Sequence, residues 1–112
     1  MLARTPRFRE RVFTETERAY CDARGPAAAA QHYAARFAAK EAAFKALGTG
    51  WSGGLSWHHV EIISRDSGAP ALLLHGLARE LFEASGATHT HLSLSHTNEH
   101  AVAQVVFERR ED

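Results

Sequence analysis

The sequence predicts an α+β domain with an antiparallel sheet packed on a long helix, and three observations carry that reading. An alanine-rich run of strong helix formers extends from Ala27 to Leu47 and stops at Gly48. Beyond it the apolar period changes to strand-like stretches that come in two pairs, Trp57–Ser64 with Ala71–Leu74 and His91–Ser95 with Ala101–Phe107. Between the pairs Leu77, Leu81 and Phe82 return to helical spacing. The order is therefore helices, hairpin, helix, hairpin, without repeats or a linker, and one domain is expected over residues 1–112.

Each element has a local cause. Pro6 suits a first helical turn and Phe8 and Val12 lie four apart, so a short amphipathic helix is expected through Arg11 or Val12, with its arginines outward. Thr14-Glu15-Thr16-Glu17 has capping-box spacing, with Thr14 as N-cap and Glu17 reaching back, so a second helix should run from Glu15 to about Ala23 and end at Gly25-Pro26. On the long helix Tyr33, Phe37, Phe44 and Leu47 fall on one stripe expected to face the core, with Arg36, Lys40 and Lys45 on its flanks. Thr49–Gly54 is a glycine-rich loop, and Asp66-Ser67-Gly68 is turn chemistry inside the first hairpin. The next helix should span about Gly76 to Ser85, with Gly86 as its stop. In the last hairpin Leu92 and Leu94 alternate with Ser93 and Ser95, and a valine-rich strand follows.

Composition narrows the function. In 112 residues, 45% are hydrophobic and 23% charged, which is globular rather than disordered. Thirteen basic residues balance thirteen acidic ones, so neither a field-driven grip on nucleic acid nor one on an anionic membrane is implied. Cys21 is alone, which excludes a disulfide framework and fits a reducing compartment. No apolar stretch approaches the roughly 20 residues of a membrane span and no signal-peptide core opens the chain, so a cytoplasmic location is expected. Charge is uneven only at the start, where Arg4, Arg7, Arg9 and Arg11 face Glu10 alone, a patch suited to an acidic partner.

Three positions could carry chemistry. Glu41 lies about 40° from Phe37 on the helical wheel, at the margin of the core stripe, where a carboxylate needs a partner. Either Lys45 pairs with it one turn on, or Glu41 is a hard-metal ligand in a magnesium–phosphate site completed by neighbouring cations. His96 ends the Leu92–Ser95 strand, where a histidine is either structural or functional. Eight histidines raise the question of zinc, but His96 and His100 straddle a turn and no cysteine is near them. Trp51 and Trp57 read as core or interface residues, with Trp51 also a candidate for lining a ligand groove.

The run Arg36-Phe37-Ala38-Ala39-Lys40-Glu41-Ala42-Ala43-Phe44-Lys45-Ala46-Leu47-Gly48-Thr49-Gly50 resembles the signature of the 4′-phosphopantetheinyl transferases, in their short holo-acyl-carrier-protein synthase form. The resemblance extends upstream through Arg7–Thr14 and Glu17, and downstream through Val60-Glu61-Ile62, Gly68-Ala69-Pro70, Leu92–Thr97 and Ala101–Val106. It implies transfer of the phosphopantetheine arm of coenzyme A to a serine of an apo acyl carrier protein, with magnesium and release of 3′,5′-ADP, by a homotrimer with active sites between subunits. It further implies that Glu41 is a magnesium ligand, that Lys45 meets the coenzyme A phosphates, and that His96 and Arg36 lie at the coenzyme A site. Arg7, Phe8 and Arg11 resemble the patch that docks the acidic helix of the carrier. The family's opening strand, with an Asp as second metal ligand, has no counterpart here, since the sequence opens at Met1-Leu2-Ala3-Arg4 just before the Arg7-Phe8 motif. Either the sequence starts after that strand or the protein lacks it, and the second case leaves a rival reading, a non-catalytic module that binds coenzyme A or a carrier protein. Glu61 and Asp66 are not assumed to take the Asp's place.

Overall fold

A computed structural model describes residues 6–48, 54–97 and 99–111. Its elements follow the predicted order: α1 (Pro6–Val12), α2 (Glu15–Asp22), α3 (Pro26–Leu47), a 3₁₀ turn at Trp57–His59, β1 (Val60–Ser64), β2 (Pro70–Leu74), α4 (Gly76–Ala84), β3 (His89–His96) and β4 (Ala101–Glu108). The capping box forms as its spacing requires: Thr14 Oγ1 accepts from the Glu17 amide, and Glu17 Oε1 accepts from the Thr14 amide at 2.9 Å. α3 ends where expected, with Gly48 left-handed at φ 84° and its amide donating to the carbonyls of Phe44 and Lys45.

The single sheet of the sequence reading is two sheets. β1 pairs antiparallel with β2 (Val60 opposite Leu74) and β3 with β4 (His91 opposite Val106), and among the described residues no ladder joins the pairs. β2 does lie against β3. A cavity of about 190 Å³ opens beside them, lined by Leu72, Leu74, Phe82 and Thr90 among others. A second correction concerns Trp57–His59, expected as the start of a strand. Ser56 caps a 3₁₀ turn there, its Oγ accepting from the His58 amide and its own amide donating to His59 Nδ1.

α3 touches α2, α4, β1, β3 and β4, so it is enclosed on most sides. Its buried residues, Tyr33, Ala35, Arg36, Ala39, Lys40, Ala43 and Phe44, centre on an alanine face rather than on Phe37, which is only half-buried. The buried arc is shifted toward the alanines, against which the last hairpin packs, while Tyr33 and Phe44 of the predicted stripe are buried as expected. Arg36 and Lys40, expected on the flanks, are consequently buried. One apolar cluster joins Ala39, Ala43 and Phe44 to Val60, Ile62, Leu74 and Phe82; a second joins Val12, Phe13, Cys21 and Tyr33. Trp57 packs against both, with ring centroids 5.2 Å from Phe37 and 5.0 Å from Phe44.

Between the clusters lies an ion pair with no solvent exposure on either side chain, Lys40 Nζ to Glu17 Oε1 at 2.9 Å. The ammonium also donates to the carbonyls of Trp57, at 3.0 Å, and Val60, while Glu17 Oε2 accepts from the Ile62 amide at 2.8 Å. Both charged groups are thus hydrogen-bonded within the core, and together they tie α2, α3 and β1 to one another.

Gly76 opens α4 at φ 52°, and a Cβ there would stand 2.8 Å from His59 Nε2. Gly76→Ala therefore combines left-handed strain with a clash, and should lower unfolding free energy by about 1–3 kcal/mol in urea titration. No shift in the midpoint would show that His59 swings away without cost.

Candidate functional site

The candidate residues lie on α1, along α3 and at the end of β3. Glu41 and Lys45 sit one turn apart on α3, and both are exposed. This corrects the placement of Glu41 at the margin of the core, and its cause is the shifted buried arc. The i, i+4 pair does not form: among the described residues neither side chain has an ion pair or a hydrogen bond. Trp51 and most of the glycine-rich loop that follows lie outside the described residues.

His96 and Arg36 come together near the middle of α3, through two residues that the sequence reading did not single out. Tyr20 on α2 has the Arg36 guanidinium 4.2 Å and the Arg24 guanidinium 4.4 Å from its ring centroid. His32, one turn before Arg36, packs edge-on against Tyr20 at 5.6 Å and against His96 at 5.5 Å. Arg36 Nη2 reaches Ser64 Oγ at 3.4 Å, whereas its Nε is buried without a hydrogen-bond partner. Arg36 thus keeps one buried, unsatisfied guanidinium donor beside the Tyr20 ring. A hydrogen bond with Ser64 lowers the Tyr20 phenol's pKa despite burial, helped by the charges of Arg36 and Arg24. Burial lowers the basicity of His32, and Arg36, His96 and Arg24 lower it further. On its other side His96 borders a cavity of about 140 Å³ lined by Ala30, Gln31, Ala34, Thr97 and His100, among others.

The structure does not bring these two groups to one point. His32 and Glu41 are nine residues apart on α3, about half a turn round and roughly 13 Å along the axis. The spacing of His32 and Arg36 could have suggested a shared face; Tyr20 carried no sequence signal, since only the packing of α2 on α3 places it there.

Glu61 is committed elsewhere, and Asp66 lies in an exposed turn. Glu61 accepts from Thr14 Oγ1 at 2.6 Å and contacts His75 Nε2 at 3.0 Å. Burial alone would raise its pKa, but these hydrogen bonds and the nearby charges outweigh burial and hold it below the ordinary carboxylate value. Asp66 is exposed in the turn between β1 and β2. No group of three histidine, cysteine or acidic side chains among the described residues could hold a metal by itself, zinc included. On α1, Arg7 and Arg11 are exposed, Phe8 is half-buried against Phe37 at 6.0 Å, and Arg9 turns instead to the Tyr33 ring. No helix among the described residues is long and apolar enough to cross a membrane.

Residues 1–105 match the family profile described as the 4′-phosphopantetheinyl transferase superfamily. The chain belongs to this superfamily. It is 52% identical over 100 residues to a holo-[acyl-carrier-protein] synthase of Geotalea daltonii, covering 89% of this chain and 78% of that one. To the synthase of Koribacter versatilis it is 45% identical over 102 residues, or 91% of this chain and 80% of the relative. Among solved structures, the holo-(acyl-carrier-protein) synthase of Bacillus anthracis in complex with CoA (3′,5′-ADP) matches with a TM-score of 0.76 and 38% identity, over 93% of this chain and 82% of that one. The Chronobacterium ammoniagenes ACPS–CoA complex matches with a TM-score of 0.82 and 29% identity, over 98% and 87%. The α+β fold is thus that of the phosphopantetheinyl transferases, and the chain is a transferase of the holo-acyl-carrier-protein synthase type.

Proposed function

We propose that this transferase moves 4′-phosphopantetheine from coenzyme A to a serine of an apo acyl carrier protein and releases 3′,5′-ADP. The observation that carries the reading is that the fold uses Glu17 and Lys40 internally while leaving Glu41 and Lys45 exposed at one turn's spacing, without an ion pair among the described residues. With an acyl carrier protein as acceptor, the reaction serves fatty acid biosynthesis in the cytoplasm.

One exposed carboxylate is a hard donor of the kind that magnesium shares with water and substrate phosphates, so Glu41 fits as its protein ligand. The ion would supply neutralisation of charge at the pyrophosphate. Lys45 would meet the phosphate oxygens with its ammonium, and Arg36 and His96 would hold the nucleotide end of coenzyme A. Intact-mass measurement of an apo acyl carrier protein after incubation with this chain, coenzyme A and magnesium tests the reading. A phosphopantetheine mass gain that EDTA removes supports it. Coenzyme A binding without a gain favours the rival, a non-catalytic binding module.

Two faces suit protein partners. Arg7 and Arg11 share one side of α1 beside Phe8, and would dock the carrier's acidic helix. Reversing both charges, Arg7→Glu with Arg11→Glu, should raise KM for the carrier about 10- to 100-fold and leave kcat within about twofold. An unchanged KM would move the docking site elsewhere.

The second face belongs to a homotrimer. We place Glu41 and Lys45 of another copy beside a ligand held by the His96–Arg36 group, a reading that the half-turn offset of His32 and Glu41 on α3 supports. On the outward face of β3–β4, Val102 is 63% and Val106 45% exposed, beside Ser93, Ser95 and Gln104. A light-scattering mass three times the 12.3 kDa of the chain is expected.

A further inference from the structure

We infer that His32 is a positioning residue for His96, fixing the imidazole at the end of β3 by edge-on packing between it and Tyr20. The inference rests on the reading above only where it assigns His96 to the nucleotide end of coenzyme A. His96 is exposed, ends its strand and has a cavity on one side. His32 supplies the other side. Its ring stands 5.5 Å from His96 with the planes at 62°, and 5.6 Å from Tyr20 with the planes at 74°.

Tyr20 is in turn fixed between the guanidinium groups of Arg24 and Arg36, and the buried Arg36 is anchored to Ser64. A continuous stack of side chains therefore runs from the end of β1 through α2 and α3 to the end of β3. Arg36 and His96 lie at its two ends, and both are the residues read as contacting the nucleotide. His32 is the link between them, and it is half-buried where His96 is not. The charged and titratable groups facing it are Tyr20 and Arg24 from α2 and its end, Arg36 from α3 and His96 from β3. None is acidic, so His32 is held as a neutral ring, through its faces and edges rather than through an ion pair.

The test uses His32→Ala and His32→Phe in the full chain, with steady-state kinetics and the ring-proton resonances of His96. His32→Ala is expected to raise KM for coenzyme A by about 5- to 10-fold, the worth of one aromatic contact, with kcat within about twofold. His32→Phe keeps an edge for His96 to pack on and should recover most of that loss. The His96 resonances should move in His32→Ala and return toward their positions in His32→Phe. Unchanged His96 resonances and KM in His32→Ala would overturn the inference, as would a phenylalanine variant as impaired as the alanine one. If the unaltered protein binds no coenzyme A, the functional reading fails, while the resonances still decide whether His32 positions His96.

Discussion

Glu41→Gln is expected to reduce phosphopantetheine transfer by about a thousandfold while leaving the fold intact. The side chain is exposed and touches no charged partner among the described residues, so its replacement should shift the melting temperature by no more than about 3 °C. A carboxamide keeps the shape and loses the charge, so the loss would belong to cation binding rather than to packing. Lys45→Met should behave similarly toward the phosphates. The decisive comparison is turnover against magnesium concentration: a Glu41→Gln variant that transfers normally at the same magnesium concentration as the parent would remove Glu41 from the metal site.

The largest effect on stability is expected one residue earlier. Lys40→Met leaves the Glu17 carboxylate buried opposite an apolar chain and should cost about 3–5 kcal/mol in urea unfolding. For a domain of this size that is a fall in melting temperature on the order of 10–25 °C. Adding Glu17→Gln to that background removes the unpaired charge and should restore part of the loss, giving a coupling that exceeds simple additivity. A loss below about 1 kcal/mol for Lys40→Met would mean that the core relaxes to admit water. Neighbouring residues of one signature thus have separate effects: Lys40 on folding, Glu41 on chemistry.

The contrast between Lys40 and Glu41 also shows how far the sequence could be read. Element boundaries were legible because their causes are local: the Thr14–Glu17 capping box, Gly48 at a helix end, and the alternation of Leu92 and Leu94. The rotation of α3 was not legible, because a helix with alanine on most sides has no apolar stripe strong enough to say which side meets the sheets. The wheel therefore put Arg36 and Lys40 on the flanks of the core stripe and Glu41 at its margin, whereas tertiary packing buries the first two and exposes the third. The division into two hairpins was hidden for a similar reason, since hydrogen bonding between β2 and β3 depends on a tertiary placement that no local pattern encodes. Candidate site residues were visible as residue types in a family-like run. The Tyr20–His32–His96 stack was not, as it joins three elements distant in sequence.

The burial of Lys40 has a practical consequence for chemical labelling. The chain has only two lysines, and one of them has its amine enclosed in the core. An amine-reactive acylating reagent applied to the folded protein therefore finds one side-chain target, Lys45, besides the amino terminus. A fluorophore or isotopic tag can be attached at the candidate phosphate contact without mutagenesis, and the rate of its attachment reports directly on whether a nucleotide occupies that site.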